Sequence, residues 1–269
     1  MTKNMKNNLW IEGLQGSGKS TLLQEIVNLQ PNYKVCREGD YSPVELAWCT
    51  WMNEKQYKSI LERYGTISEE IRANTVQEGS HYIITYTRIL TDIPGFHKDL
   101  EQYEIYNGRR TLAEIKEIVL TRYQAFQGNG YVFECSFLQN LVEDLILFHQ
   151  LSDEEILELY REFYKAIKTE DFLLLYLYSD DIEGNIRTVE KERSDTQGNP
   201  IWYPLMMEYF KNSPYGKEHN AETFEDLIAH FKHRQELELR IIKEIVGERA
   251  VVLNSKKWTT EQISKLLQL

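Results

Sequence analysis

The stretch LWIEGLQGSGKSTLLQEI, residues 9–26, joins an apolar strand-like segment to an amphipathic helix through a glycine-rich loop. Within it, Gly13-x-x-x-x-Gly18-Lys19-Ser20 fits the pattern GxxxxGK followed by Ser or Thr, in the strand-to-helix context that this pattern requires. Average residue usage puts a chance match somewhere in such a chain at on the order of one per cent. The stretch therefore predicts a loop that binds a phosphate group.

Each residue type in this loop has a chemical role. The backbone N–H groups of residues 14–20 and the helix N-terminus are expected to surround a β-phosphate. Lys19 would pair with β- and γ-phosphate oxygens, and the Ser20 hydroxyl would bind Mg²⁺. The alternative is a tight glycine-rich turn without a ligand. The predicted nucleotide-binding residues are Gly13, Leu14, Gln15, Gly16, Ser17, Gly18, Lys19, Ser20 and Thr21.

The composition predicts one globular unit over residues 1–269, with 42% hydrophobic and 27% charged residues. A formal net charge of −11 argues against a nucleic acid polymer as partner, because such partners select basic surfaces. The longest strongly apolar run, residues 172–178, is too short to cross a bilayer, so we expect no membrane partner. The N-terminal residues lack a signal-peptide core and the three cysteines lack CxxC spacing, which favours a cytoplasmic protein with reduced thiols.

Apolar segments that alternate with helical patterns predict an α/β fold, with a parallel sheet of about five strands flanked by helices. The predicted strands cover residues 8–12, 34–36, 131–135, 172–178 and 250–253. The long gap between the second and third strands is mostly helical in pattern, which predicts a helical insertion at about 41–126. Helix starts are predicted from capping signals at Ser42, Thr111, Ser136, Ser152, Thr223 and Thr259.

The loop IEGLQGSGKST, residues 11–21, resembles that of the deoxynucleoside kinase and thymidylate kinase family, in which a Glu-Gly pair precedes the same run. Four further segments are similar to family segments in the same order: CREGD at 36–40, FECSF at 133–137, NIRTVEKER at 185–193 and VVLNSKKWTTEQI at 251–263. The resemblance implies the fold of a nucleoside/nucleotide kinase-like P-loop NTPase with a lid at about 183–220. It also implies transfer of the γ-phosphoryl group of ATP, with Mg²⁺, to a small-molecule acceptor, in the first place a nucleoside or nucleotide.

Two positions depart from the family pattern. Cys135 stands where the family has an arginine after the acid of the third strand, so one charge stabiliser is missing or comes from elsewhere. Gly39 replaces the family's proline, and Asp40 adds a second acid after Glu38. Both departures bear on the identity of the acceptor more than on that of the donor.

Three acids at predicted strand ends are candidates for chemistry. Transfer to a hydroxyl requires a base, whereas transfer to an existing phosphate does not. Glu38 matches the family's base position and Asp40 is the second candidate, although both are also typical of a solvated turn. Glu134 would hold Mg²⁺ through water together with Ser20, and the alternative is a helix-start charge near Ser136.

Arginines in two regions are candidates for binding phosphate oxygens. Arg187 and Arg193 lie in the predicted lid, where a mobile guanidinium neutralises charge in the transition state, and Arg193 is favoured. The alternative is ordinary surface charge on a helix. The predicted catalytic residues are thus Lys19, Glu38, Arg193, Arg187 and Asp40. Candidates for the acceptor side are Arg37, Arg88, Arg109 and Arg110, with Trp48 and Trp51 on one helix as stacking or core residues.

Other interpretations remain open from the sequence. DIPG at 92–95 imitates a GTPase switch, which would make the chain a non-catalytic ATP/GTP-binding switch; against this, the chain has no Asn-Lys-x-Asp signature, and DIPG is a common turn sequence. Loss of transfer through Cys135 would leave an ATP-binding regulator. The acceptor is alternatively another hydroxyl metabolite or an antibiotic, and a homodimer is left open. His230 and His233 predict a surface or interface feature rather than a metal site, because no third ligand has suitable spacing.

Overall fold

The strand that leads into the glycine-rich loop is the central strand of a five-stranded sheet. A computed structural model describes residues 7–167 and 171–267 of the chain. The strands, in chain order, are β1 (Asn8–Gly13), β2 (Lys34–Cys36), β3 (Met52–Asn53), β4 (Thr75–Glu78), β5 (His81–Ile84), β6 (Tyr131–Glu134), β7 (Phe172–Tyr178) and β8 (Ala250–Asn254). The main sheet has the order β2-β6-β1-β7-β8, and every neighbouring pair is parallel. The predicted α/β class is confirmed at this level.

Helices cover both faces of this sheet. They are α1 (Lys19–Leu29), α2 (Glu54–Arg63), α3 (Ser68–Ala73), α4 (Phe96–Glu101), α5 (Leu112–Ala125), α6 (Gln139–Leu147), α7 (Asp153–Ala166), α8 (Ile182–Glu192), α9 (Trp202–Asn212), α10 (Pro214–Glu218), α11 (Phe224–Ile241) and α12 (Thr260–Leu266). A π-helical turn, Ile242–Val246, follows α11 directly. Within residues 7–167 and 171–267, no helix combines the length and apolar character needed to span a membrane.

Alternation along β1 distributes its side chains between two cores. Leu9 and Ile11 point to one face, where they pack with the apolar side of α1 and with Ile263 of α12. Trp10 points to the opposite face and contacts the rings of Phe133 and Phe172, with centroid distances of 4.7 and 5.2 Å. Because both faces are covered, all six residues of the strand are buried, as is typical of parallel sheets.

Four of the predicted capping signals are confirmed, and two are wrong. Capping boxes start α5, α7, α11 and α12 at Thr111, Ser152, Thr223 and Thr259. At Ser42 no helix begins, because its hydroxyl accepts the N–H of Val44 within a turn, and the first helix of this region follows Asn53 instead. Ser136 does not cap α6.

The carboxylate of Glu12, rather than the predicted Ser136, binds the backbone N–H groups at the N-terminus of α6. Its two oxygens accept the backbone N–H groups of Phe137 and Gln139 at 2.7 and 3.0 Å, at the N-terminus of α6. A carboxylate at a helix N-terminus satisfies N–H groups that have no partner inside the helix. The last turn before α6 is therefore held by a residue of β1, far away in the sequence.

The predicted insertion at 41–126 is not purely helical. It contains a three-stranded antiparallel sheet in the order β3-β5-β4, which packs with α2 and α4 around its own apolar cluster. A two-residue turn, Gly79-Ser80, joins β4 to β5, with Gly79 at a φ of +55°. This short hairpin signal was missed in the sequence. By contrast, α5 packs Ile115, Val119 and Tyr123 into the main core.

Removing a buried side chain from the main sheet should destabilise the protein. Leu175 of β7 is fully buried, so we expect Leu175→Ala to lower the free energy of unfolding by about 2–5 kcal/mol. Val252 on β8 is 47% exposed, and Val252→Ala is the control, with an expected change within about 0.5 kcal/mol. Urea unfolding monitored by circular dichroism measures both. Equal losses for the two variants would contradict the packing described above.

Candidate active site

A cavity of about 880 Å³ opens at the edge of the sheet where β1, β2 and β6 end. Its walls come from the glycine-rich loop, the residue Glu38 after β2, the helix α6, the end of α8 and the face of α9. In open parallel sheets ligands bind at the carboxyl ends of the strands, where neighbouring loops meet. Six of the nine residues predicted to bind nucleotide line the cavity: Gln15, Gly16, Gly18, Lys19, Ser20 and Thr21.

The glycines of the loop serve different purposes. A Cβ atom at Gly13 would lie 2.8 Å from the carbonyl oxygen of Leu177, and one at Gly16 would lie 2.8 Å from that of Asn185. These two glycines therefore let the loop approach β7 and α8 closely. A Cβ at Gly18, which has a φ of +92°, would meet no atom of the described residues within 4 Å. Gly18 is the N-cap of α1 and makes no side-chain hydrogen bond to it, so the first N–H groups of this helix suit an anion.

The predicted cation and metal residues lie together where the loop meets the end of β6. Lys19 is only 8% exposed, and its ammonium donates to the carbonyl oxygens of Gly13 and Leu14 at 2.9 and 2.8 Å. The Ser20 hydroxyl donates to a carboxylate oxygen of Glu134 at 2.5 Å. In the described part of the chain, no group of three or more His, Cys, Asp and Glu side chains gathers around a common point. The Ser20–Glu134 pair suits Mg²⁺, which takes one or two protein oxygens and otherwise phosphate and water.

The two candidate bases occupy different environments. Glu38 lines the cavity, where its carboxylate accepts the indole N–H of Trp48 at 3.1 Å and the amide of Gln139 at 3.2 Å. Asp40 accepts the backbone N–H of Arg37 and forms an ion pair with Arg88. Asp40 is absent from the cavity wall among the described residues. The structure thus brings Glu38, and not Asp40, to the edge of the sheet with the loop.

The two arginines of the predicted lid also lie in different environments. Arg193 is exposed at the C-terminal end of α8 and lines the cavity. Arg187 lies over the ring of Phe224 at 4.1 Å and pairs with Glu183 on its own helix, outside the cavity wall. A further cavity cation, Lys256, was missed in the sequence, and its ammonium donates to the side chain of Asn185 at 2.6 Å.

None of the arginines predicted for the acceptor side lines the cavity in the described ranges. Their partners lie elsewhere in the fold: Arg37 faces Gln24, Arg88 pairs with Asp40, Arg109 pairs with Glu101, and Arg110 donates to the carbonyl of Trp51. The tryptophans separate in the same way. Trp48 is 46% exposed at the cavity with a φ of +59°, whereas Trp51 stacks on His81 outside it. No helix carries them, because residues 41–51 are irregular, with one bend and one turn.

A buried charge network supports the loop from behind. Arg234 of α11 is fully buried and donates at 2.7 Å to Gln15 in the loop and at 2.7 Å to Glu143 of α6. Glu143 also accepts from His230 at 2.9 Å. Burial acts to raise the pKa of the Glu143 carboxyl group, but its contacts with Arg234 and His230 outweigh burial and lower that pKa to about 2. Of the two alternatives predicted for His230, a surface position is wrong, since the residue is 2% exposed and hydrogen-bonded to Glu143.

Two further features singled out in the sequence, Cys135 and the DIPG segment, are not part of the cavity wall as described. Cys135 is buried with a φ of +58°, and burial raises the pKa of its thiol well above the usual value, so it supplies no charge to the cavity. Asp92 and Gly95 of the DIPG segment lie in the turn before α4 and outside the cavity wall as described.

Neither a scan against protein-family models nor a search of curated proteins gave a match to this chain. The chemistry of the site is therefore inferred from its own side chains.

The buried carboxyl group of Glu45 should make stability depend on pH. Burial raises its pKa from 4.5 to about 8, while one oxygen accepts the N–H of Ala47 at 2.7 Å. The unfolded chain releases this proton at lower pH than the folded protein does, so stability falls as the pH rises from about 4.5 to about 8. Glu45→Gln keeps the oxygen acceptor and should reduce this loss. Urea unfolding at pH 5 and pH 8 measures it, with Glu69→Gln, a carboxylate 92% exposed, as control. An unchanged pH dependence in Glu45→Gln would contradict the expected effect.

Proposed function

We propose that the protein is a small-molecule kinase with a P-loop NTPase fold, which transfers the γ-phosphoryl group of Mg-ATP to a hydroxyl group. One observation carries this proposal: the Lys19 ammonium, the Ser20–Glu134 pair and the Glu38 carboxylate share one cavity. The volume of about 880 Å³ is in the range of ligand sites. When the strands of the main sheet are numbered along the chain, their spatial order is 2-3-1-4-5. The glycine-rich loop follows strand 1 at the centre of the sheet, and this arrangement supports the same fold.

The donor side would use the loop and its neighbours. Lys19 would hold β- and γ-phosphate oxygens, and Ser20 with Glu134 would hold Mg²⁺ directly or through water. The N-terminus of α1, capped by Gly18, would contribute its N–H groups to the phosphates. The metal would neutralise charge that develops on the leaving phosphate.

The acceptor side would use Glu38 and Trp48. As the acceptor oxygen bonds to the γ-phosphorus and the bond from that phosphorus to the β-phosphate oxygen breaks, Glu38 would take the hydroxyl proton. Trp48, exposed in the cavity and bonded to Glu38, presents an aromatic face on which a ring of the acceptor can stack. Arg193 would stabilise charge on the transferring group when α8 and α9 close.

The position of the arginines favours a hydroxyl acceptor over a phosphate acceptor. Binding of a second phosphate beside ATP requires cations, and the four arginines considered for that purpose have partners away from the cavity. A nucleoside is therefore preferred to a nucleotide, with other hydroxyl metabolites and antibiotics as further classes. The switch interpretation gains no support, because the DIPG segment lies off the cavity wall.

Loss of the loop cation should abolish transfer. Lys19→Met keeps the apolar stem but removes the charge that holds the phosphates, so we expect at least a hundredfold loss of kcat, about 3 kcal/mol in the barrier. The assay follows ATP consumption with nucleosides, nucleoside monophosphates and other hydroxyl compounds. The control is Lys257→Met, which removes an exposed lysine paired with Asp180. Full turnover by Lys19→Met would refute the kinase proposal, and ATP binding without any turnover would favour a regulator.

The candidate bases are distinguished by a matched pair of variants. Glu38→Gln should lower kcat by roughly a hundred- to ten-thousand-fold with little change in ATP affinity, because a base is lost. Asp40→Asn should have a mild effect, since Asp40 is engaged with Arg88 outside the cavity. Steady-state kinetics and ATP titrations measure both. The reverse ranking would assign the base to Asp40, and near-normal rates in both variants would indicate transfer without a base.

A further inference from the structure

Two buried oxygen atoms of the cavity wall have no hydrogen-bond donor among the described residues. They are Oε1 of Gln139 and Oε1 of Glu143, in side chains of residues 4% and 6% exposed. The amide nitrogen of Gln139 donates to the Glu38 carboxylate, which leaves its oxygen as the free acceptor. The other carboxylate oxygen of Glu143 is occupied by Arg234 and His230. A buried acceptor without a donor is unfavourable, so this pair points to a ligand that donates hydrogen bonds.

The spacing of the two residues places both acceptors on one face of α6. Residues four apart on a helix are neighbours, with Cβ atoms about 5–6 Å apart. Gln139 lies beside Glu38, the proposed base, and Glu143 lies one turn further along the helix. A single donor-rich group of the acceptor molecule can therefore contact both oxygens while a hydroxyl elsewhere in that molecule reaches Glu38.

A second buried carboxylate, that of Glu104, also lines the cavity. Glu104 is 2% exposed, and it accepts from Tyr86 at 2.5 Å and from Asn107 at 2.8 Å. The Tyr209 hydroxyl donates to the side chain of Asn107 at 3.1 Å, and the Asn107 amide in turn donates to Glu104. Burial raises the pKa of the Tyr209 hydroxyl well above its usual value, and the charges of Glu143 and Glu104 raise it further. Burial raises the pKa of Glu104 to about 7, and a cation nearby would favour its charged form.

The lysine and arginine side chains of the cavity wall come from the glycine-rich loop, from the segment after β8 and from the end of α8. Lys19 lies in the loop, Lys256 is bonded to Asn185 beside Gly16, and Arg193 ends α8. The remaining polar groups of the wall include the carboxylates of Glu38 and Glu104, the free oxygen of Glu143, whose other oxygen is bonded to Arg234, and the free amide oxygen of Gln139. This charge separation suits an anionic donor on one side and a positively charged acceptor on the other.

We propose that the acceptor carries a protonated amine, bound by Gln139, Glu143 and Glu104, while its hydroxyl is presented to Glu38. This inference rests on the proposed kinase function and narrows its substrate to amino-hydroxyl compounds, such as amino sugars or amino nucleosides. An ammonium has three N–H donors and no acceptor, which matches the two free oxygens of α6. Phosphorylated acceptors would be repelled by the same carboxylates.

Matched ligand pairs test this inference on the wild-type protein. Binding of glucosamine is compared with that of glucose, and binding of 3′-amino-3′-deoxyadenosine with that of adenosine, by calorimetry with and without ATP. We expect the amine of each pair to bind at least about tenfold more tightly than its hydroxyl counterpart. Equal binding within each pair, tighter binding of nucleoside monophosphates, or failure of both amines to bind would overturn the inference.

Variants then test whether the Glu104 carboxylate causes the preference for the amine. Glu104→Gln should remove most of the preference for the amine, because it removes the negative charge that distinguishes the amine from its hydroxyl partner. Glu101→Gln is the control, because Glu101 is 42% exposed and paired with Arg109 outside the cavity wall. Retention of the full preference in Glu104→Gln would overturn the role of Glu104, and the wild-type comparison stands even if that variant does not fold. ATP consumption with the whole acceptor panel is measured in parallel. Transfer to neutral acceptors alone would refute the proposed amine-bearing acceptor and leave the kinase proposal intact.

Discussion

The buried carboxylate of Glu12 sets the geometry on which the cavity depends. Glu12 lies in β1 directly before the loop, and its carboxylate accepts hydrogen bonds from the backbone N–H groups of Phe137 and Gln139. Burial raises the pKa of this carboxyl group to about 7, although both hydrogen bonds act to lower it. Through this contact the loop and the N-terminus of α6 are fixed to each other, and Gln139 is placed where it reaches Glu38.

A second constraint comes from the charges behind the loop. Arg234 connects Gln15 in the loop with Glu143 on the cavity wall, and its guanidinium lies 3.2 Å from Glu238 on the next turn of α11. Removing such charges from water is costly unless each has a partner, so the orientations of these side chains are closely determined. The long helix α11 thereby supports the loop even though none of its residues lines the cavity as described.

The cavity combines two environments that the parallel sheet brings to one edge. The loop after β1 and the end of β6 supply Lys19, Ser20 and Glu134, which suit a phosphate with its metal. The residues after β2 and the first turns of α6 supply carboxylates and amides, which suit a donor-rich molecule. The separation is a consequence of strand order, since β6 lies between β2 and β1 in the sheet.

The sequence by itself determined the features that depend on neighbouring residues. The loop, the five main strands and the capping boxes of α5, α7, α11 and α12 follow from local spacing, hydrophobic period and side-chain chemistry. Short strands were missed, because β3 has two residues and the hairpin at Gly79 is marked only by its turn. Only the tertiary structure decided which polar residues reach the cavity. It placed Glu38 inside and Asp40 outside, and it buried His230. The sequence does not show which polar or charged residues become buried or reach a cavity, because this depends on partners that the fold brings from distant segments.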